Sequence, residues 1–318
     1  MRRTYLDFEE PLRALDRARD AAVAQSDREA VAHVEAELVA RAREIFAGLT
    51  RWQRVQLSRH IDRPFTLDYV TALLDDFVEL HGDRVYGEDA AVVAGLAFRG
   101  ARALAVVGHQ RGRGTAEKVR RNFGMARPEG FRKARRVFEL AGRLGLPLLT
   151  FVDTQGAFPG TESEERGIAE AIAGCLATLS ALPVPIVSVV IGEGGSGGAL
   201  AFAVSDVLLM LEHSCLGVIT PEGCASILER RRSPEAIARA AESLKLTAAD
   251  LLRLGIADAL VPEPVGGAHR DPGAAATAVG GAVDAAFASL DGLAPRELRA
   301  RRDGRLRELG RADLALLG

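Results

Sequence analysis

From residue 9 to residue 48 apolar side chains recur at helical spacing: Leu12, Leu15, Val31, Val34, Leu38 and Ile45. The opposite face is Arg, Glu and Asp, and Ser26-Asp27-Arg28-Glu29 is a capping-box pattern that starts a second helix. The segment therefore reads as a helical hairpin, and its apolar stripe must pack on the body or on another subunit. After Arg63-Pro64 the spacing predicts a helix over 67–80, capped by Thr66. From Ala90 the texture changes. Residues 91–98 and 103–107 read as strands around Arg99-Gly100. Strand 146–152, helix 164–179, strand 185–191, helix 198–204, strands 207–211 and 216–219 and helix 225–229 follow in alternation. The unbroken apolar run Ile186-Val187-Ser188-Val189-Val190-Ile191 calls for cover on both faces, so the pattern is a layered α/β structure. Residues 266–281, rich in Ala and Gly, read as a loop or weak helix, and the chain from Gly292 is charged and helical in pattern. The reading divides the chain into an arm (1–63), a body (64–295) and a charged tail (296–318).

Composition narrows the function classes. With 318 residues, 48% hydrophobic and 26% charged, the chain can bury a real core. A net charge of -2 sets up no global field for nucleic acid or membrane. The three cysteines, Cys175, Cys215 and Cys224, lack metal-ligand spacing and point to reduced thiols. No apolar segment follows Met1-Arg2-Arg3, and the apolar run 181–191 contains two prolines and is too short to span a bilayer. The expectation is a soluble, cytoplasmic protein without a metal of its own.

Three stretches carry candidate chemistry. Residues 192–199 read Gly-Glu-Gly-Gly-Ser-Gly-Gly-Ala, five glycines in eight positions between a strand and a helix start. A ligand there meets backbone N–H groups, and the free donors and positive dipole end of a helix favour developing negative charge. The turn also matches G-x-S-x-G, with Ser196 as nucleophile and Asp206 or Asp258 with His213 or His269 as partners. A phosphate loop would want a following Lys-Ser/Thr, which is missing, and a purely structural turn remains open. The second stretch is Asp153-Thr154-Gln155-Gly156-Ala157-Phe158-Pro159-Gly160, again after a strand, with Asp153 read as a loop pin ahead of a general base. The third runs from His109 to Arg136 and holds ten Arg and Lys against Glu117 and Glu129. It suits a solvated helix face, a small polyanion or a nucleic acid, although only Phe123 and Phe131 interleave and no RNA-binding motif is visible.

Longer motifs share an order. His109-Gln110-Arg111-Gly112-Arg113, Arg120-Arg121-Asn122-Phe123-Gly124-Met125, Pro128-Glu129-Gly130-Phe131-Arg132-Lys133-Ala134 and Glu164-Glu165-Arg166-Gly167 precede the glycine turn. Pro221-Glu222-Gly223-Cys224-Ala225-Ser226-Ile227-Leu228 and Pro262-Glu263-Pro264-Val265-Gly266-Gly267-Ala268-His269-Arg270 follow it. Together they resemble the carboxyltransferase α subunit of bacterial-type acetyl-CoA carboxylase, from Leu6-Asp7-Phe8-Glu9 to His269-Arg270.

That resemblance implies a crotonase-like fold, a superhelix of ββα units with an N-terminal helical arm. It implies carboxyl transfer from carboxybiotin on a carrier protein to a CoA thioester, acetyl-CoA, giving malonyl-CoA for fatty acid biosynthesis. The implied partners are a zinc-ribbon β subunit in an α2β2 assembly, the biotin carboxyl carrier protein and biotin carboxylase. By the same resemblance the N–H groups of Gly197 and Gly198 form the oxyanion hole for the ureido oxygen of biotin, and the enolate of biotin takes the acetyl proton. Gly156, Ala157, Gly194 and Gly195 are the neighbouring backbone, and Arg111, Arg113, Arg120 and Arg121 the candidate contacts to CoA phosphates or the carrier. Gln155 stands where the family has Pro, and Thr161-Glu162-Ser163 where smaller, more apolar residues are usual; both departures bear on acyl-CoA preference. A hydratase or isomerase of the same fold, needing a carboxylate in the cleft, is the competing enzyme reading.

Overall fold

The computed structural model describes residues 3–230 and 233–309. Helices α1 (Glu10–Ala24) and α2 (Arg28–Ala47) form the expected hairpin, but Asp27 rather than Ser26 caps the second, accepting the Ala30 N–H at 3.0 Å. Helix α3 (Arg51–Ser58) follows, capped by Thr50. Leu12, Ala42, Phe46, Leu49 and Leu57 bury one another within this arm. The arm packs on its own body, where Arg270 donates to both Asp16 oxygens at 2.8 and 3.0 Å.

Helix α4 (Thr66–Leu73) is half the length expected. Thr66 is its first residue and not its cap; its hydroxyl reaches the His109 carbonyl, while Asp68 accepts the Phe65 N–H at 2.6 Å. Two carboxylates, Asp75 and Asp76, would face the negative end of a longer helix. The chain instead turns extended at Leu74 and forms edge strand β1 (Asp75–Glu79).

Next come β2 (Val92–Arg99), β3 (Arg102–His109), α5 (Gly114–Arg120), α6 (Pro128–Leu144) and β4 (Leu148–Thr154). The helix expected over 164–179 is broken by Gly167 at φ 78 into α7 (Thr161–Glu165) and α8 (Ile168–Ala181). Strand β5 (Ile186–Gly195) runs into α9 (Ser196–Ala203), followed by β6 (Val207–Leu211), β7 (Cys215–Gly217) and α10 (Pro221–Leu228). Then α11 (Pro234–Leu244), α12 (Ala248–Arg253), β8 (Ala259–Val261), α13 (Pro272–Ala288) and α14 (Pro295–Glu308) complete the described chain.

The sheet order is β1-β2-β3-β4-β5-β6-β8, with β7 also paired to β5. Strands β1 to β3 are antiparallel and the remaining pairs parallel. Alternate residues of β4 and β5 feed two cores: Leu148, Val152, Ile186 and Val190 face α6, α8 and α9, while Leu149, Phe151, Val187 and Val189 face α4 and α13. Where 266–281 read as a weak helix, α13 forms because Asp271 caps it and its small residues lie close on the sheet. A Cβ at Gly280 would sit 2.7 Å from the Arg99 guanidinium and 2.9 Å from Leu73. Packing outweighs glycine's poor helix propensity.

Helix α14 docks through one side chain. Arg302 is fully buried and uses its whole fork. Nε and Nη2 donate to Asp206 at 3.0 and 2.7 Å, and the remaining N–H groups to the carbonyls of Leu179, Leu182 and Val184 at 2.7 to 3.0 Å. Residues 310–318 of the charged tail lie outside the described residues. Removing the guanidinium would strand the Asp206 carboxylate, so Arg302→Ala should lower the unfolding free energy by about 3–5 kcal/mol in a denaturant titration. A loss below about 1 kcal/mol would show that α14 is not held by this pair.

Candidate active site

Two strand ends meet at the centre. Strands β4 and β5 pair in parallel, and after a register shift Thr154 lies opposite Gly194. Thr150 and Ser188, paired in that ladder, have hydroxyls 2.7 Å apart that both reach the Phe202 carbonyl, so the strands aim α9 from its far end. The loop after β4 is drawn tight by Thr154, whose hydroxyl accepts the Gly156 N–H at 3.1 Å and donates to the Gly156 carbonyl at 2.8 Å. Absent side chains let the loops touch. A Cβ on Gly195 would lie 1.9 Å from the Gln155 carbonyl oxygen, and one on Gly198 would lie 2.6 Å from the Ala157 nitrogen. Gly194 is less confined, meeting the end of the Leu216 side chain at 2.7 Å and the Cys215 carbonyl at 3.3 Å. Gly197 is different: a Cβ there would meet only the Ile172 side chain at 3.6 Å, an ordinary contact. The first-turn N–H groups of α9 have no partner within the helix, so this double shelf can hold an anionic oxygen.

Beneath the shelf, charges alternate. Glu222 pairs with Arg59 at 2.6 Å, Arg59 with Glu193 at 2.7 Å, and Glu193 with Arg111 at 3.2 Å. Arg111 Nε also lies 3.2 Å from Asp153 Oδ1, an ion-pair distance off the direction of a hydrogen bond. Asp153 is buried and accepts the Glu193 N–H at 3.2 Å, so it pins one shelf to the other as expected. Burial pushes its carboxyl above the usual value in spite of Arg111. His109 is buried with its ring stacked on Phe202, centroids 4.2 Å apart. Burial, then the nearby Arg111, lowers its pKa to about 3, leaving a neutral plate under α9.

Residues 5–310 match a family described as "Acetyl co-enzyme A carboxylase carboxyltransferase-like". The chain belongs to that family. It is 51% identical over 317 residues to the acetyl-coenzyme A carboxylase carboxyl transferase subunit alpha of Sorangium cellulosum, covering 98% of this chain and 99% of the relative. The same subunit of Methylobacterium sp. strain 4-46 is 52% identical over 322 residues, covering 97% and 99%. Among solved structures, a Pseudomonas malonate decarboxylase hetero-tetramer in complex with coenzyme A superposes with a TM-score of 0.57 at 18% identity, covering 71% of this chain and 92% of that one. Transcarboxylase 12S, with methylmalonyl-coenzyme A and methylmalonic acid bound, superposes with a TM-score of 0.55 at 21% identity. That match covers 67% of this chain, which spans 41% of the transcarboxylase chain. The fold is the crotonase-like one that the motifs imply.

Within this carboxyltransferase fold the partners once weighed for Ser196 are all occupied. His213 sits 2.9 Å from Arg54, His269 bonds Glu9, Asp206 holds Arg302 and Asp258 holds Arg305. Ser196 itself is an exposed residue at φ 53, a bend in the turn. The basic stretch is largely spent on structure. Arg121 is turned inward to Glu117 and the Ala90 carbonyl, Arg132 to Asp83 and Lys133 to Glu88, while Arg120 stays exposed. Arg113 pairs with Asp68 and lies over the Phe65 ring. Glu222 lies in the Pro221–Leu228 motif, whereas Arg59, which joins it to Glu193, carries no local signal in the linear pattern. Among the described residues no helix is long and apolar enough to cross a membrane, and Cys175, Cys215 and Cys224 are buried and free.

Glu9, His60 and His269 bring ligand-type atoms within 4.8 Å of one another. The Asp62 N–H donates to His60 Nδ1 at 3.1 Å, which places the neutral ring's proton on Nε2, facing the Thr4 carbonyl and Glu9. A protonated Nε2 cannot bind a cation. The trio is a clasp holding the arm, with His269 on Glu9 at 2.8 Å.

Burial, and then the neighbouring His269, lowers the pKa of His60 to about 4. With folded values of about 4 and about 3 against an ordinary value near 6.5, His60 and His109 bind protons only in the unfolded chain at mildly acid pH. Stability should be full above about pH 6.5 and fall toward pH 4, by on the order of 2–3 kcal/mol for each histidine. Chemical denaturation across that range reads the slope, and His60→Gln should flatten it; an unchanged slope would refute the assignment. In the shelf, Gly198→Ala should cost about 1–3 kcal/mol because its methyl meets backbone, whereas Gly197→Ala should move stability by less than about 1 kcal/mol.

Proposed function

We propose that this chain is the α half of an acetyl-CoA carboxylase carboxyltransferase, passing a carboxyl group from carboxybiotin on a carrier protein to acetyl-CoA to form malonyl-CoA. The observation that supports the mechanism is the backbone contact at Gly195 and Gly198, so close that a Cβ would overlap the Gln155–Ala157 backbone, beside the free first-turn amides of α9. Carboxybiotin, when bound, supplies the labile carboxyl group and places negative charge on its ureido oxygen as that group leaves. The amides of Gly197 and Gly198 lie in the first turn of α9 and donate to that oxygen, each fixed donor lowering the barrier by roughly 3 kcal/mol. Gly156 and Ala157 close the opposite side of the cradle, and Gly194 and Gly195 bring the strand end against them. Asp153, pinned between Arg111 and the Glu193 N–H, keeps the shelves in register and transfers no proton.

The site is half of one, and the reading assigns the other half to a zinc-ribbon β subunit in an α2β2 assembly. The remaining partners are the biotin carboxyl carrier protein and biotin carboxylase, in the cytoplasm. The division into arm (1–63), body (64–295) and tail (296–318) belongs to the same reading. The near-neutral net charge and the inward ion pairs of the basic stretch argue against nucleic acid.

Combined with its β partner, carrier and carboxylase, the chain should make malonyl-CoA, and by itself should make none; no product from the full set rejects the reading. The geometry separates the two valine variants of the turn. Gly198→Val puts its side chain into the facing Gly156–Ala157 backbone and should displace the amide shelf, costing about a hundredfold or more in kcat, whereas Gly197→Val keeps its N–H and points its Cβ at Ile172, so it should retain turnover within about tenfold. A wild-type rate in Gly198→Val would reject the oxyanion assignment. Ser196→Gly, compatible with the positive φ at that residue, should keep turnover within about threefold, since no nucleophile is lost.

A further inference from the structure

Strand β3 ends on His109, a residue that the mechanism leaves unused. Its backbone is clamped: pairing with Val92 holds it in the ladder, and the Thr66 hydroxyl donates to its carbonyl. The ring is thereby fixed against one face of α9. It stacks on Phe202 with the planes 23° apart, and its nitrogens face the backbone of Gly198 and Phe151. Gly198 and Phe202 are four residues apart, so they lie one above the other on the same side of the helix. His109 spans that side from the Phe202 ring to the Gly198 backbone.

Packing alone does not require a histidine here. Phe202 also meets Phe131 and Phe138 edge-on, each at 6.0 Å, and a phenyl ring at position 109 would extend that cluster without burying polar atoms. The imidazole buries two. Neither nitrogen makes an aligned hydrogen bond with any described residue, and the side chain has no exposed surface. Polar atoms left in that state cost stability and need a reason. The Gly198 and Phe151 contacts are of the kind that favour an added proton, so the groups facing the ring are carbonyl oxygens. A carbonyl that accepts the i+4 N–H within its helix keeps a second lone pair free.

We propose that His109 is a positioning residue for the carboxyl transfer: its ring N–H holds the Gly198 carbonyl, fixing the first turn of α9 and with it the direction of the Gly197 and Gly198 amides. This rests on the carboxyltransferase reading, in which those amides meet the oxyanion. The residue touches no substrate. It supports the near end of the helix as Thr150 and Ser188 support the far end at the Phe202 carbonyl. In the free chain the contact is out of line, as catalytic hydrogen bonds often are before substrate binds. Amides aimed in advance need no reorganisation as charge develops, so losing the aim costs turnover and leaves substrate binding in place.

The test uses the reconstituted carboxyltransferase complex. His109→Phe keeps the stacked ring and loses the N–H, while His109→Asn and His109→Gln return an amide N–H near the positions of Nδ1 and Nε2. The phenylalanine variant should lose at least about tenfold in kcat, with the KM for acetyl-CoA and for the carboxylated carrier within about twofold of wild type. Its denaturant midpoint should be no lower, because no aligned hydrogen bond is lost. One of the two amide variants should recover kcat to within about threefold of wild type, and which one does so names the nitrogen. Wild-type kcat in His109→Phe overturns the proposal, since a flat ring would then be enough. A loss that neither amide variant recovers, or that comes with a lowered midpoint, is a packing defect and also overturns it. If the full wild-type set forms no malonyl-CoA, the carboxyltransferase reading itself fails, and hydrogen exchange decides the contact. The amides of 196–203 should exchange at least about threefold faster in His109→Phe than in wild type, and equal rates overturn it.

Discussion

Everything at the centre of this molecule depends on two loops whose backbones touch. Strands β4 and β5 end side by side, and the chains leaving them approach so closely that a single carbon on Gly195 or Gly198 would overlap the Gln155–Ala157 backbone. Such an approach is available only to residues without side chains. It replaces side-chain chemistry with fixed amide donors, which need no reorganisation as charge develops. Gly197 stands apart because its side-chain position faces Ile172 at ordinary contact distance and not the opposing loop, so the glycines of one turn do different jobs.

Holding two bare loops in register requires something stiff beneath them, and the fold supplies alternating charge. Glu222, Arg59, Glu193, Arg111 and Asp153 form a chain from α10 through α3 to both strand ends. Each buried charge has an opposite neighbour, which keeps the desolvation cost tolerable and makes the geometry specific. The same economy recurs at Arg302 with Asp206, and at Arg63 with Glu263, where Arg63 and then further hydrogen bonds hold the buried Glu263 carboxyl down to about 2 against the cost of burial. In this chain arginine is chiefly a scaffold residue. In the cleft beside the shelf, Lys118 makes no ion pair with any described residue.

The linear pattern carried much of this. The buried strands at 146–152, 185–191 and 207–211 were legible because an apolar run bounded by turns has few alternatives in an α/β chain. The glycine turn and the Asp153 loop were legible as backbone sites because five glycines in eight positions leave little else to offer. The helix expected over 67–80 was read too long because Phe77 and Val78 fit a helical stripe; their pairing with β2 became visible only in the folded sheet. Helix α13 was underestimated because its small residues look flexible in isolation, yet they are what lets it lie against Arg99 and Leu73.

By itself, the sequence determined the layered α/β architecture, the helical arm, the family and the two glycine shelves. These rest on local properties: apolar periodicity, the conformational freedom of glycine, and long motifs in order. Tertiary structure decided which charges meet, since Arg59 and Glu193, or Arg302 and Asp206, are far apart in the chain and their pairing leaves no local trace. It also decided that His60 is a proton-bearing clasp residue, through one amide at Asp62, and that Ser196 has no base. A residue type announces what chemistry is available; only the partner that folding brings within hydrogen-bond distance decides whether that chemistry is used or spent on holding the fold.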